Sequence, residues 1–377
     1  MQLSDDVQHI LDLTQDLMRI PSTAAHPEAI AACADTIAEY ISALGVRPER
    51  FSFNGVPCVA ALPKERYAPV LLMAHFDVVA ADSEEQFTPV IKDGSLYGRG
   101  SIDDKYAVAL SLTLFKKHLE AIRTAGGSLA DMPFGLLFTG DEERGGHDGA
   151  GKVLRRISTD FSIAIDGGAP QRVVTKGKGI LDVRLTTHGT AAHGARPWLG
   201  ESAFDLLVED YAALKALFPM GDDDAHWHRT MNFGIVRAGK DAANKVPGTA
   251  EAIIDIRYTE HDDVDDLLAQ MDAATHGTID VLAREPMFYA GTSPYLDLLR
   301  AQNPGLEAEF AHGASDARFL TDSGVPAVIW GAQGEMSQHG PNEHLCLDSL
   351  QDLTDRLDAF LSEAASIAAG KQDSAKA

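Results

Sequence analysis

The stretch LLMAHFDVVA, residues 71–80, is aliphatic at most positions, yet it carries His75 and Asp77 in its middle. A run this apolar reads as a strand buried on both faces, the pattern of a parallel sheet covered by helices. Ionisable groups in such a strand are costly unless partnered. One buried His–Asp pair is one reading, a ligand site is the other, and the rest of the chain has to decide between them.

Working outward, VLLMAHF (70–76) is joined by two similar runs, FGLLFTG (134–140) and FSIAID (161–166), with a helical segment near 104–122 between the first two. Apolar residues at helical spacing in 5–20 and 28–44 predict two opening helices, the second stopped by Gly45 and Pro48. This is the rhythm of an α/β sheet layered with helices. Each of the three runs ends in acidic or His residues, and chemistry in open α/β sheets collects at the carboxyl ends of the strands.

From about 179 the rhythm changes. ILDVRLTTHG, a helix near 202–217, MNFGIVRAG, AEAIIDIRY, a helix near 262–275 and TIDVLAR read as a four-stranded, two-helix α+β unit inserted into the first domain. DARFLTDSGVPAVIWGA (316–332) and a helix near 348–368 then resume the α/β style, and the polar tail AGKQDSAKA is expected to fray. The predicted division is 1–178 and 287–377 for a discontinuous first domain, with 179–286 inserted.

The chain of 377 residues, 45% of them hydrophobic, is long enough for two cores of ordinary size. Lys plus Arg number 32 against 56 Asp plus Glu, and a net charge of −24 argues against a nucleic-acid partner. Segments such as GDDDA (221–225) and HDDVDD (261–266) read as solvated surface. Cys33, Cys58 and Cys346 are odd in number and widely spaced, so neither a disulfide framework nor a thiolate metal site is indicated. The N-terminus is acidic and amphipathic, unlike a signal peptide, and no run approaches the ~20 apolar residues of a membrane span. A cytoplasmic location without membrane association is expected.

Four further clusters accompany the opening one: GRGSIDDK (98–105), TGDEERGG (139–146), AIDGGAP (164–170) and MSQHGPNEH (336–344). Each alone has an ordinary reading as a turn, a helix start or a surface loop. Together, two His and several carboxylates at strand ends cannot be buried unpaired, because desolvation and mutual repulsion would be severe. A cation resolves this. Imidazole plus carboxylate without thiolate suits Zn²⁺, less specifically Mn²⁺ or Co²⁺, and so many carboxylates suit two metals about 3.5–4 Å apart.

HFDVV, GRGSIDDK, GDEERGG, AIDGG, HGTAAHGARP, NKVPGTAEAIIDIR, HGASDARF and HGPNEH, in this order, resemble the dinuclear-zinc exopeptidases and deacylases. That family includes glutamate carboxypeptidase, succinyl-diaminopimelate desuccinylase, acetylornithine deacetylase, aminoacylase and carnosinase-type dipeptidases. The resemblance runs through nearly the whole chain. It implies a zinc-exopeptidase-like three-layer α/β catalytic domain carrying a ferredoxin-like α+β lid and dimerisation domain.

Carried over residue by residue, the resemblance implies that His75, Asp103 and Asp166 hold one Zn²⁺ while Asp103, Glu143 and His339 hold the other, Asp103 bridging. Asp77 would accept the outer ring N–H of His75 and fix its tautomer. Glu142 would be the general base. The resemblance further implies a cis peptide between Asp103 and Asp104. His193 would stabilise the oxyanion, often across a dimer interface, and Asn244, Arg257 and Arg318 would meet the substrate, one Arg gripping its free carboxylate. Both arginines read equally as structural ion pairs.

The expected function is two-metal hydrolysis of a peptide or N-acyl bond in a small substrate bearing a free carboxylate. Asp at 166, where several carboxypeptidase and desuccinylase members of the family have Glu, leans toward dipeptidases and aminopeptidases, and a dipeptidase or carboxypeptidase-like exopeptidase is expected ahead of a desuccinylase or deacetylase. Arg144 and Ala192 depart from the more usual residues, touching neither ligands nor base. A metal-binding homologue without catalysis is the competing reading, opposed by the intact Glu142. A calcium site is opposed by the two His, since Ca²⁺ takes oxygen ligands.

Overall fold

The computed structural model describes residues 3–219, 221, 225–239, 242–321, 323–335 and 339–374. Residues 222–224 of the acidic GDDDA segment, Asp322, Met336 to Gln338 of the last cluster and 375–377 of the tail lie outside the described residues. The chain forms two compact units. Unit 1 comprises Met1–Lys176, Tyr289–Phe310 and Ser315–Ala377; unit 2 comprises Gly177–Phe288 and the short return Ala311–Ala314.

Unit 1 is built on a nine-stranded sheet. Its centre is parallel: Tyr67–His75 lies between Phe134–Thr139 and Ser158–Ala164, and Ala327–Ile329 follows on the far side of the last. Every residue of Phe134–Thr139 is buried, as are eight of the nine in Tyr67–His75, which is why these strands read as unbroken apolar runs. The helix Lys105–Thr124 packs against the first two of these strands and against the helices Asp5–Met18 and Leu347–Ser374. It is buried continuously from Lys105 to Phe115, as a helix sandwiched between neighbours must be.

The registers His75 opposite Thr139 and Met73 opposite Ala164 bring three carboxyl ends to one level. From that level the chain runs into Asp77, into the turn Glu142–Arg144 and into Asp166. The last helix extends to Ser374, beyond the expected end near 368.

Two hairpins absent from the expected elements belong to this unit. Glu49–Phe53 pairs with Val56–Ala61 through Asn54 and Gly55, and Val90–Lys92 pairs with Ser95–Tyr97 through Asp93 and Gly94; all four turn residues have positive φ. Asn-Gly and Asp-Gly are the residues such two-residue turns require. The second hairpin takes His344–Cys346 as its third strand, which seats HGPNEH beside GRGSIDDK.

Unit 2 has the order strand, helix, two strands, helix, strand. Its antiparallel sheet runs Thr230–Ala238, Thr249–Tyr258, Gly179–His188, Thr278–Glu285, the ferredoxin-like arrangement. The helix Ala203–Ala216 packs on the two central strands and against the helix Val264–Ala274. Inward residues alternate strictly along Gly179–His188 and Thr249–Tyr258, with Leu181, Val183, Leu185, Ala252, Ile254 and Ile256 forming the core with Leu207 and Leu214. Among the described residues no helix is long and apolar enough to cross a membrane.

Candidate metal centre

His75 closes its strand, Asp166 follows the end of Ser158–Ala164 by two residues, and Asp103 sits two residues before the helix Lys105–Thr124. The Asp103–Asp104 peptide is cis. Asp103 Oδ1 lies 2.9 Å from His75 Nε2, and its Oδ2 lies 3.2 Å from His339 Nε2, which is itself 3.3 Å from Glu143 Oε2. Donor atoms of His75, Asp103 and Asp166 all fall within 4.8 Å of one another, and so do those of Asp103, Glu143 and His339. The structure therefore brings together all five expected ligands in two triads that share one carboxylate.

Asp77 meets His75 twice: Nδ1 lies 3.0 Å from its backbone carbonyl and 3.5 Å from its carboxylate. The carboxylate also accepts the backbone N–H groups of Glu142, at 3.1 Å, and Glu143, at 3.2 Å. A side chain two residues beyond a strand end meets whatever the neighbouring strand delivers at the same level, here the Glu142–Arg144 turn. Asp77 thus orients both the imidazole and the two glutamates.

The electrostatics match a cation site. Burial pushes the Asp166 carboxyl up to about 8, against the pull of His75 and with Asp103 and Glu143 adding to the rise. Burial likewise raises Glu142 well above the ordinary value, opposed by His75 and reinforced by Asp166. Hydrogen bonds to Asp103 and Glu143 lift His339 to about 10. Burial disfavours the charged form of His75, yet bonds to Asp103 and Asp77 hold its pKa well up. Asp103 stays below the carboxylate range because the two imidazoles outweigh its burial. Acids held neutral beside imidazoles held charged are what a divalent cation would reverse, replacing several protons with one compact charge. Two imidazoles and three carboxylates without thiolate fit Zn²⁺, Mn²⁺ or Co²⁺.

Glu142, His75, Asp166, Ser315 and Asp316 line a cavity of about 10 Å³, on the scale of a single water. A much larger cavity, about 660 Å³, lies within unit 2 and is lined by Ala191, Arg237, Lys245 and Glu251 among others. It holds none of the candidate ligands, so volume does not mark the chemistry here.

In unit 2, His193 and Asn244 are exposed neighbours. His193 bridges to Lys245, its Nδ1 accepts the Ala195 N–H at 3.1 Å, and the Asn244 carbonyl accepts the Gly194 N–H at 2.6 Å. Arg257 forks onto Asp255 on the same strand at 2.7 and 3.1 Å, the ion-pair reading of that residue. Arg318, in unit 1, is 3% exposed and donates to the carbonyls of Ser315 and Gly145 at 3.0 and 2.6 Å. Asp316 was quoted only as part of a motif; its buried carboxylate accepts from Thr139 at 3.0 Å. Arg99 and Glu343, also within quoted motifs, form a buried pair. Their signal was a full charge set between glycines in GRG and another inside HGPNEH.

Comparison with known proteins bears on this geometry. Residues 71–363 match Peptidase family M20/M25/M40. The chain is 31% identical to a succinyl-diaminopimelate desuccinylase of Methylobacterium nodulans, covering 91% of this chain and 93% of the relative. A desuccinylase of Xylella fastidiosa is 28% identical over 93% and 97% of the two chains. Among solved structures, an M20 family metallo-carboxypeptidase from Sulfolobus solfataricus has a TM-score of 0.75 at 21% identity, covering 94% of this chain and 99% of that one. A Staphylococcus aureus tripeptidase has a TM-score of 0.74 at 20% identity, covering 97% and 100%.

Proposed function

The chain belongs to Peptidase family M20/M25/M40 and is a metal-dependent amidohydrolase, and from that premise we propose that it uses two divalent cations to hydrolyse the amide of a small N-acyl amino acid. The observation that carries the reading is the sharing of Asp103 between two donor triads beside the half-buried Glu142. His75, Asp103 and Asp166 would hold one cation, and Asp103, Glu143 and His339 the other. Bound there, Zn²⁺, or Co²⁺ or Mn²⁺, supplies Lewis-acid polarisation of the carbonyl and activation of water.

The chain's own residues do the rest. Glu142 accepts a proton from the attacking water, whose oxygen adds to the carbonyl carbon, and returns the proton to the departing amine as the C–N bond breaks. Asp77 holds the backbone of Glu142 and Glu143 while its carbonyl fixes the outer nitrogen of His75. His193, exposed and with its Nδ1 occupied, presents Nε2 as a donor for the oxyanion. Asn244 is proposed as a substrate contact, and the commitments of Arg257 and Arg318 weaken the case for either as the carboxylate grip.

N-acyl amino acids are placed ahead of dipeptides, reversing the order expected from the sequence, because the relatives of 28–31% identity are desuccinylases over nine tenths of the chain. The second reading is a dipeptidase or carboxypeptidase-like exopeptidase, and Asp166 favours its dipeptidase form. A homodimer through unit 2 is proposed on the edge strand Thr230–Ala238, where Ile235 and Val236 are 43% and 50% exposed, and Phe204, Val208 and Tyr211 of the helix Ala203–Ala216 are exposed as well. The free thiols of Cys33, Cys58 and Cys346 fit a cytoplasmic setting.

The test is turnover of a panel of N-succinyl and N-acetyl amino acids and dipeptides by the wild type and Glu142→Ala, with metal content determined for both. Hydrolysis of the acyl substrates, lost by about 10²–10⁴-fold in a variant that keeps its metal, supports the proposal. Cleavage of dipeptides alone favours the second reading. Bound metal with no turnover by either protein leaves a binding protein.

A further inference from the structure

We propose that the buried Arg99–Glu343 pair is a positioning device that sets the spacing of Asp103 and His339, and through it the affinity of the site formed by Asp103, Glu143 and His339. The inference rests on the two-metal reading above.

The two loops that deliver Asp103 and His339 are far apart in sequence and have no regular structure of their own at the ligands. GRGSIDD leaves the hairpin strand Ser95–Tyr97 through Gly98 and Gly100, whose φ of 134° and 81° suit glycine. This conformation turns three backbone donors of the loop toward one carboxylate oxygen. Glu343 Oε1 accepts the N–H groups of Gly100 at 2.8 Å, Ile102 at 3.3 Å and Asp103 at 3.4 Å. The other oxygen, Oε2, accepts from Arg99 Nη1. The main chain of Glu343 joins in, its carbonyl accepting the Gly98 N–H at 3.0 Å.

Arg99 completes the link. Its Nη2 donates to the carbonyl of His339 at 3.0 Å and to that of Ala80, downstream of Asp77, at 3.3 Å. The pair thus holds the N–H of one ligand residue and the C=O of another, and it reaches the loop that follows a third. Its side chains are 1% and 0% exposed. Neither residue belongs to a donor triad, so both act through Asp103 and His339. A planar fork that satisfies a carboxylate and a carbonyl together is a task for Arg that Lys cannot reproduce. Buried ion pairs are seldom kept for stability alone, since neutral replacements of similar volume are often tolerated. A geometric role explains this one.

The experiment compares metal-free wild type, the neutral double variant Arg99→Met/Glu343→Gln and the charge-keeping Arg99→Lys, each titrated calorimetrically with Co²⁺ and melted without metal. The double variant removes both charges together, so the metal-free fold is expected to melt at or above the wild-type temperature. Wild type is expected to take up two equivalents. In both variants one equivalent should bind about 10–100-fold more weakly, the size of effect seen for groups that orient metal ligands. Two equivalents bound with wild-type affinity by Arg99→Lys, or by a folded double variant, would overturn the proposal while leaving the two-metal reading intact. A wild type that binds no metal overturns that reading and the positioning role together.

Discussion

Two strands of similar length show how differently the units use polar residues. Tyr67–His75 in unit 1 is covered on both faces, and between Tyr67 at its start and His75 at its end it carries no ionisable side chain. Thr249–Tyr258 in unit 2 has one covered face and shows Glu251, Asp255 and Arg257 on the other. In the first setting an ionisable group survives only with dedicated partners, so its presence is informative. In the second, water is always an alternative partner, and Arg257 simply pairs with its neighbour Asp255. A polar residue therefore reports function in proportion to how much burial it has to withstand.

The contrast is open to attack at several strengths. Asp103→Ala deletes the carboxylate shared by both triads, and it should cost both metal equivalents and all measurable turnover; metal analysis after gel filtration checks this. Leu72→Ala, in the doubly covered strand, should destabilise unit 1 by about 2–5 kcal/mol in denaturant unfolding, the cost of a large buried aliphatic. Asp77→Asn leaves one acceptor oxygen for the two backbone donors of Glu142 and Glu143, and metal affinity should fall by about 10–100-fold in chelator competition.

On the open face the effects shrink. Arg257→Met should change unfolding stability by no more than about 1 kcal/mol, because both members of its pair are part exposed. If instead KM rises by orders of magnitude with the fold intact, the open face is a substrate surface and the contrast breaks. The smallest effect concerns His276, whose Nδ1 lies 2.7 Å from the buried Asp210 carboxylate, a bond that raises its pKa above 6.5. Protonated His276 favours the folded state, so its contribution is complete below about pH 6.5 and is lost as pH rises through the folded value. His276→Gln should flatten that part of the stability profile measured from pH 6 upward.

The ligands were legible because apolar runs ending in His, Asp or Glu are rare unless something holds those groups. Unit 2 was legible from strict alternation. The hairpins at Asn54–Gly55 and Asp93–Gly94 were missed, although the turn residues were present, because their strands are short and mostly lack an apolar run. The second omission mattered, since that hairpin seats Glu343 against Gly98, Gly100 and Arg99. The pairing of Asp77 with His75 was legible from their spacing, whereas its hold on the turn of the adjacent strand was not.

By itself, then, the sequence determined which elements form, which strand ends carry charge and which residue types stand ready for two cations. Those properties follow from local periodicity and from the cost of burying charge, and both are written along one dimension. Only the tertiary structure decided who partners whom: that Asp103 faces both His75 and His339, that Asp77 grips the Glu142 turn, that Arg318 donates to the carbonyls of Ser315 and Gly145, and that Arg99 ties two distant loops together. Hydrogen bonds act over about 3 Å, and which groups come that close depends on strand register and loop path, which no single stretch of sequence specifies.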